Sequence, residues 1–231
     1  MNKKKILFLT GTRADYGKLK PLMQSVEEHE NFECHIFVTG MHTLKEFGDT
    51  KSEVFKDRFK NIHVYMNQII EEPMDLVLAN TINGFGRYIR ELEPDMIVVH
   101  GDRVEALAAA ISGAINNILV AHIEGGEISG TIDESIRHSI SKLAHIHFVS
   151  NNEAKNRLLQ LGEKESSIYV IGSPDIDIIL EDASLNIKKI KKRYEIEFEK
   201  YAVLIYHPVT TEIDHLRNNV RNLVNAILMI E

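Results

Sequence analysis

The sequence has no tryptophan, a single cysteine and five prolines in 231 residues. One cysteine excludes an internal disulfide, and Cys34 sits in the apolar run 34–38, where a buried, inert thiol is expected. A basic excess is also lacking. Lys and Arg number 27 against 34 Asp and Glu, a formal net charge of −7, and no basic face of the kind nucleic-acid binding needs is evident. No apolar run reaches the roughly 20 residues of a membrane-spanning helix. The start carries Lys3, Lys4 and Lys5, but the apolar run behind them is too short for a signal peptide and ends in Gly11, Thr12 and Arg13. The expectation is a soluble, cytoplasmic protein with neither membrane nor nucleic acid as partner. Apolar content of 44% supplies an ordinary globular core.

What is present is a rhythm. Apolar runs at 6–10, 34–39, 62–65, 96–99, 118–121, 146–149 and 168–171 read as buried strands. Helical periodicity falls between them at 18–28, 75–92, 105–115, 136–144 and 153–160, and the polar region 44–59 reads as helical in part. Strands alternating with helices predict βαβ units, hence an α/β fold: a Rossmann-like parallel sheet with helices on both faces, over residues 1–174. After Pro174 the character changes. Residues 175–186 are acidic and mixed, and 188–194 form a basic helical run with a solvated face. Residues 201–206 read as one more strand and 218–230 as an amphipathic helix. One strand and two helices cannot bury their own faces. Residues 175–231 therefore read as a linker and the opening of an incomplete second domain. The rival reading packs the last helix onto the first domain.

The chemistry-bearing stretch is 120–145. It opens as strand and ends as an amphipathic helix, with Gly125, Gly126, Gly130, Glu124, Glu127, Asp133 and Glu134 between. A polar loop with Thr131 or Asp133 as helix cap explains Asp133 and Glu134 but not Glu124, which follows the strand almost directly. Parallel strands put their C-terminal ends on one edge, where open α/β sheets bind ligands. Three polar clusters converge there: Gly11-Thr12-Arg13, His100-Gly101-Asp102-Arg103 and His122-Ile123-Glu124-Gly125-Gly126. His207, after 201–206, joins them only if a second domain faces the first. Arg13 suits an anion, since a helix N-terminus adds to its guanidinium; the bland alternative is a surface arginine paired with Asp15. The loop is not G-x-G-x-x-G, so no dinucleotide is indicated. Asp102 and Glu124 occupy matching strand ends, and two close carboxylates raise each other's pKa. His100-x-Asp102 and His122-x-Glu124 also have metal-ligand spacing, but no H-E-x-x-H or cysteine ligand supports them, and orienting or structural histidines are preferred. His145 and His147 read as core or second-layer histidines.

The motifs G-T-R-A-D-Y-G, V-H-G-D-R-x-E-A, A-H-I-E-G-G-E-x-S-G-T-I-D-E-S-I-R-H, K-L-A-H-x-H-F-V-S, G-S-P-D and H-P-V-T-T-E, in this order, resemble the hydrolysing UDP-N-acetylglucosamine 2-epimerases of sialic acid biosynthesis. Relatives in that family act on UDP-N,N'-diacetylbacillosamine for legionaminic acid. The resemblance implies a two-domain glycosyltransferase-B-like fold, of which this chain holds the first half and a truncated second, nucleotide-binding domain. It implies elimination of UDP to a 2-acetamidoglucal and its hydration to free N-acetylmannosamine, with no metal and no cofactor. By the same resemblance, Asp102, Glu124 and Asp133 match the catalytic acids. Arg13, Gly125, Gly126, Arg137 and His207 are expected on the UDP-sugar substrate, with Arg137 alternatively pairing with Glu134. Dimers or tetramers are expected at full length, and little or no turnover from this chain alone. A sugar-nucleotide-binding fragment, a metal-dependent hydrolase and a non-hydrolysing epimerase are the competing readings.

Overall fold

The computed structural model describes residues 3–181, 186–206 and 214–229. The chain forms two compact units, 1–183 and 184–231. The first is a seven-stranded parallel sheet of order β3-β2-β1-β4-β5-β6-β7, built from β1 (Lys4–Thr10), β2 (Phe32–Val38), β3 (Asn61–Val64), β4 (Met96–His100), β5 (Leu119–Ile123), β6 (Ile146–Val149) and β7 (Ile168–Val170). The order reverses at β1, which lies between β2 and β4, the place where such sheets open a crevice.

Alternation along each strand divides the core in two. Leu7, Leu9, Ile97, Val99 and Val120 face α3 (Met74–Leu92), α4 (Val104–Ile115) and α5 (Ile132–Leu143) through Phe85, Ile89, Ala109, Ala110, Ile136 and Ile140. Ile6, Phe8, Ile36, Val38, Val98, Ala121 and Ile123 face the other way. They meet Tyr16, Leu19 and Met23 of α1 (Arg13–Glu28) and Val54 of α2 (Lys51–Lys56). α6 (Asn152–Gln160) covers the β6–β7 end through Ala154 and Leu158. These layers are the Rossmann-like architecture expected from the alternating pattern.

Several boundaries differ from the sequence reading, for local reasons. α1 begins at Arg13 rather than 18, because Thr12 and Asp15 form a capping box: the Asp15 amide donates to Thr12 Oγ1 at 3.3 Å and the Thr12 amide to Asp15 Oδ1 at 2.7 Å. The region 44–59 resolves into short 3₁₀ turns and the brief helix α2. Within the stretch read as acidic and mixed, 175–186, a helix forms, α7 (Pro174–Glu181), with proline at its first position, where the missing N–H costs nothing. Because α7 packs on α1, the first compact unit runs to 183 and not to 174.

The second unit holds α8 (Ile187–Arg193) and α9 (Leu216–Leu228). The strand expected at 201–206 is not formed, and its Val203 and Ile205 are exposed. A strand needs a neighbour for its N–H and C=O groups, and the described residues of this unit provide none.

Candidate active site

The polar groups lie beyond the C-terminal ends of β1, β4, β5 and β7. At the end of β1 the carboxylate of Asp15, though buried, accepts from the amides of Gly11, Thr12 and Tyr16 at 2.8, 2.7 and 3.0 Å. Asp15 is thereby consumed by the turn and is not the partner of Arg13. Arg13 stays exposed, its Nε 3.3 Å from Glu53 Oε2 at the start of α2. Arg13 is the first residue of α1, whose N-terminal end already holds the Asp15 carboxylate.

β4 ends in His100 and then turns through Gly101 at φ +71°. The turn is pinned from β5. His122 is fully buried and its Nε2–H donates to the Gly101 carbonyl at 2.8 Å, which leaves Nδ1 to accept from the Ser141 hydroxyl at 3.0 Å. Burial pushes the His122 imidazolium down to about 3, so the ring is neutral. Both ring nitrogens of His122 are thus taken within the protein. Among the described residues no three His, Cys, Asp or Glu side chains group as a metal site would require. Next to the pinned turn, Asp102 pairs with Arg137 of α5. Arg137 also donates to the Glu127 carbonyl at 3.1 Å and to Ser129 Oγ at 3.3 Å. Its carboxylate partner is thus Asp102 and not Glu134, which instead accepts from the Ser129 amide at 2.8 Å.

Glu124 sits immediately after β5 with φ +59°, a left-handed conformation that an L-residue adopts at a cost and that concentrates at functional sites. Its amide is paired with the β6 carbonyl of Phe148 at 2.8 Å. Its side chain is mostly buried and receives three donors: His100 Nε2 at 2.9 Å and Lys18 Nζ at 2.7 Å on Oε2, and Ser173 Oγ at 2.8 Å on Oε1. Burial by itself would raise the carboxyl pKa, but the hydrogen bonds from His100 and Lys18, His100's charge and Ser173 together hold it down at about 2. The sequence pattern suggested two carboxylates raising each other. Instead each has its own cation, Arg137 for Asp102 and Lys18 for Glu124, and the direction at Glu124 is reversed.

Asp133, in the first turn of α5, accepts from the Thr131 hydroxyl at 2.8 Å, and Thr131 is the helix cap, accepting from the Asp133 amide. No hydrogen bond joins it to Asp102 or Glu124. Gly125 and Gly126 were expected to admit the sugar to the backbone, but packing inside the chain already accounts for them. A Cβ on Gly125 would lie 2.8 Å from His122 Nδ1, and one on Gly126 2.4 Å from the Ala154 carbonyl oxygen. His207 lies outside the described residues.

Lys18, Ser173 and Asp175 escaped the sequence reading. By sequence Lys18 reads only as a helix start, and Ser173 and Asp175 as a domain junction. Their recurrence beside strand ends, in G-T-R-A-D-Y-G-K and G-S-P-D, was the available signal. Also missed was Glu105 in α4, fully buried, whose carboxylate takes both Nε and Nη2 of Arg103 at 3.1 Å. The site therefore holds two carboxylates, Glu124 and Asp102, each paired with a cation, and an exposed Arg13 beside Glu53.

A Rossmann-like sheet with its polar groups beyond the strand ends is the architecture of one half of a glycosyltransferase-B-like enzyme. The sequence profile of the family described as UDP-N-acetylglucosamine 2-epimerase matches residues 24–230, and the chain belongs to that family. It is 51% identical over 209 residues to UDP-N-acetylglucosamine 2-epimerase of Neisseria meningitidis serogroup B, covering 90% of this chain and 55% of that one. It is 37% identical over 229 residues to UDP-N,N'-diacetylbacillosamine 2-epimerase (hydrolyzing) of Legionella pneumophila, covering 97% and 61%. The crystal structure of UDP-GlcNAc 2-epimerase from Neisseria meningitidis bound to UDP-GlcNAc superposes with a TM-score of 0.73 at 26% identity, covering 84% of this chain and 53% of that one. The chain thus spans little more than half the length of these relatives. No helix among the described residues is long and apolar enough to cross a membrane.

Proposed function

We propose that the chain carries the first domain of a hydrolysing 2-epimerase acting on UDP-N-acetylglucosamine in the cytoplasm, with residues 175–231 leading into the nucleotide-binding half. The observation that carries this reading is Glu124: a mostly buried carboxylate, held ionised at the ligand-binding edge in a costly backbone conformation, in a chain of the epimerase family. In the proposed reaction the C1–O bond to the diphosphate breaks and its electrons leave with UDP. The C2 proton passes to a carboxylate, giving the 2-acetamidoglucal. Water then adds its hydroxyl to C1 and a proton to the opposite face of C2, giving free N-acetylmannosamine. Positive charge builds at C1 in the first step, and preorganised negative charge there lowers the barrier. A carboxyl held near 2 is a weak base but a steady anion, which supports an electrostatic role for Glu124 and leaves proton transfer to Asp102 or Asp133. Arg13 and His207 would offset the charge growing on the diphosphate, and Arg137 would hold Asp102.

A second reading keeps the chemistry and changes the sugar to UDP-N,N'-diacetylbacillosamine, the substrate named for the 37%-identical Legionella relative. Both sugars are tested together in D₂O. In a form of the chain extended by the second half its relatives have, UDP and free 2-epimerised sugar carrying deuterium at C2 are expected, and the faster sugar decides between the readings. A product still linked to UDP refutes hydrolysis. The 231-residue chain alone, which spans little more than half the length of these relatives, is expected to release little or no UDP.

A further inference from the structure

The turn between β7 and α7 reaches a residue two strands away. β6 separates β7 from β5 in the sheet, yet Ser173 Oγ donates to Glu124 Oε1 at 2.8 Å. Asp175 Oδ2 lies 3.2 Å from Lys18 Nζ, whose other carboxylate partner is Glu124 Oε2 at 2.7 Å. The two oxygens of Glu124 are therefore held from different elements. Oε1 is bound from the β7–α7 turn, and Oε2 from the end of β4 through His100 and from α1 through Lys18. A carboxylate gripped on both oxygens loses rotation about its terminal bond, and its syn and anti lone pairs keep fixed directions. Anchoring α7 does not require this, since α7 already packs on α1.

On the reading that Glu124 faces the reacting sugar, we propose that Ser173 and Asp175 are positioning residues that fix the aim of its carboxylate, Ser173 directly and Asp175 by dividing the Lys18 ammonium between two acids. α7 is the last helix of the first compact unit. The aim of Glu124 is consequently tied to the start of α7, and a movement of α7 would reach the carboxylate through one hydroxyl and one ammonium. Preorganisation of this kind acts on turnover more than on binding, because it matters most where charge develops.

Two measurements test the proposal. In the extended enzyme, Ser173→Ala is expected to lower kcat about tenfold, the order of one charge-assisted hydrogen bond, with KM within about twofold. Ser173→Thr, which keeps the hydroxyl, is expected to retain kcat within about threefold, and Asp175→Asn to lower kcat by a smaller factor than Ser173→Ala. A Ser173→Ala enzyme with unchanged kcat, a loss carried by KM alone, or an equal loss in Ser173→Thr overturns the positioning role. In the 231-residue chain with glutamate labelled at its side-chain carboxyl carbon, the Glu124 resonance near neutral pH is expected to move on Ser173→Ala and to return on Ser173→Thr. An unmoved resonance overturns the proposal whether or not the enzyme turns over. Absence of UDP release from the wild-type enzyme would instead refute the reaction, while the resonance still decides the positioning.

Discussion

Replacing Gly126 by alanine should cost far more than replacing Gly101, although both glycines have positive φ, +79° and +71°. An L-residue in that region costs about 1–2 kcal/mol at either position. The difference lies in what the new methyl meets. At Gly101 nothing comes within 4 Å of the built Cβ, whereas at Gly126 it would stand 2.4 Å from the Ala154 oxygen and 2.9 Å from the Ala154 carbonyl carbon. Those are main-chain atoms of α6, so no rotamer change relieves the clash. The loop cannot simply lift away either, because Arg157 of α6 donates to the Gly126 carbonyl at 2.9 Å, and Glu127 accepts from Ser150 and from Asn151 at 3.1 Å. Overpacking of this sort adds roughly 1–3 kcal/mol, giving a total of about 2–5 kcal/mol for Gly126→Ala against about 1–2 for Gly101→Ala. Against a domain stability of about 5–15 kcal/mol, the first variant is severely weakened and the second is not. Urea titration followed by far-ultraviolet circular dichroism measures both. Equal midpoints for the two variants would refute the assignment of Gly126 to close packing on α6.

Other expectations follow from the same geometry. Neutralising the proposed acids, Glu124→Gln or Asp102→Asn, should lower kcat of the extended enzyme by about 10²-fold or more, as removal of a preorganised charge does; near-normal turnover in a variant would remove that residue from the mechanism. Acid should destabilise the fold well before the carboxylates titrate. Burial lowers the pKa of His122 to about 3 and depresses those of His35, His42, His63 and His147. The unfolded chain then takes up protons near pH 6.5 that the folded one refuses, so stability is full above that value and is lost as pH falls toward the folded pKa. His122 alone accounts for about 1 kcal/mol between pH 7.5 and 5.5, and a urea midpoint that does not fall over this window would contradict its neutral burial. Glu124 adds a second loss only below about 4.5, ending near 2. Cys34 is fully buried with its thiol pushed up to about 12, so a thiol-reactive chromophore at pH 8 should label it only after unfolding; rapid labelling of the native protein would show the strand face to be open.

The strand runs at 6–10, 96–99 and 146–149, the parallel order implied by their alternation with helices, and the convergence of strand-end clusters on one edge were all legible in the residues. Burial on both faces of a parallel strand writes itself as an unbroken apolar run, and a parallel sheet has only one edge for its C-terminal ends. The family likeness was legible too, because long motifs such as 121–138 are carried by residue identity. Capping was partly readable: Thr12 and Asp15 stand at capping-box spacing, but the apolar signal of α1 begins later, at Leu19, and drew the boundary with it. The extended run 201–206 shows the opposite failure, since strand character needs a partner that no local pattern supplies.

Pairing across the sheet belonged to the tertiary structure alone. The sequence set His100 beside Asp102 and His122 beside Glu124, yet in the fold His100 binds Glu124, His122 clasps the Gly101 carbonyl, and Asp102 turns to Arg137. Lys18 and Ser173 come to Glu124 from 106 and 49 residues away. Charges at such separations meet only when the sheet and its helices have closed, and the pKa of a buried carboxylate is set by those meetings. The residue types at the strand ends are a property of the chain; which of them is a held anion and which is its cation is a property of the packing.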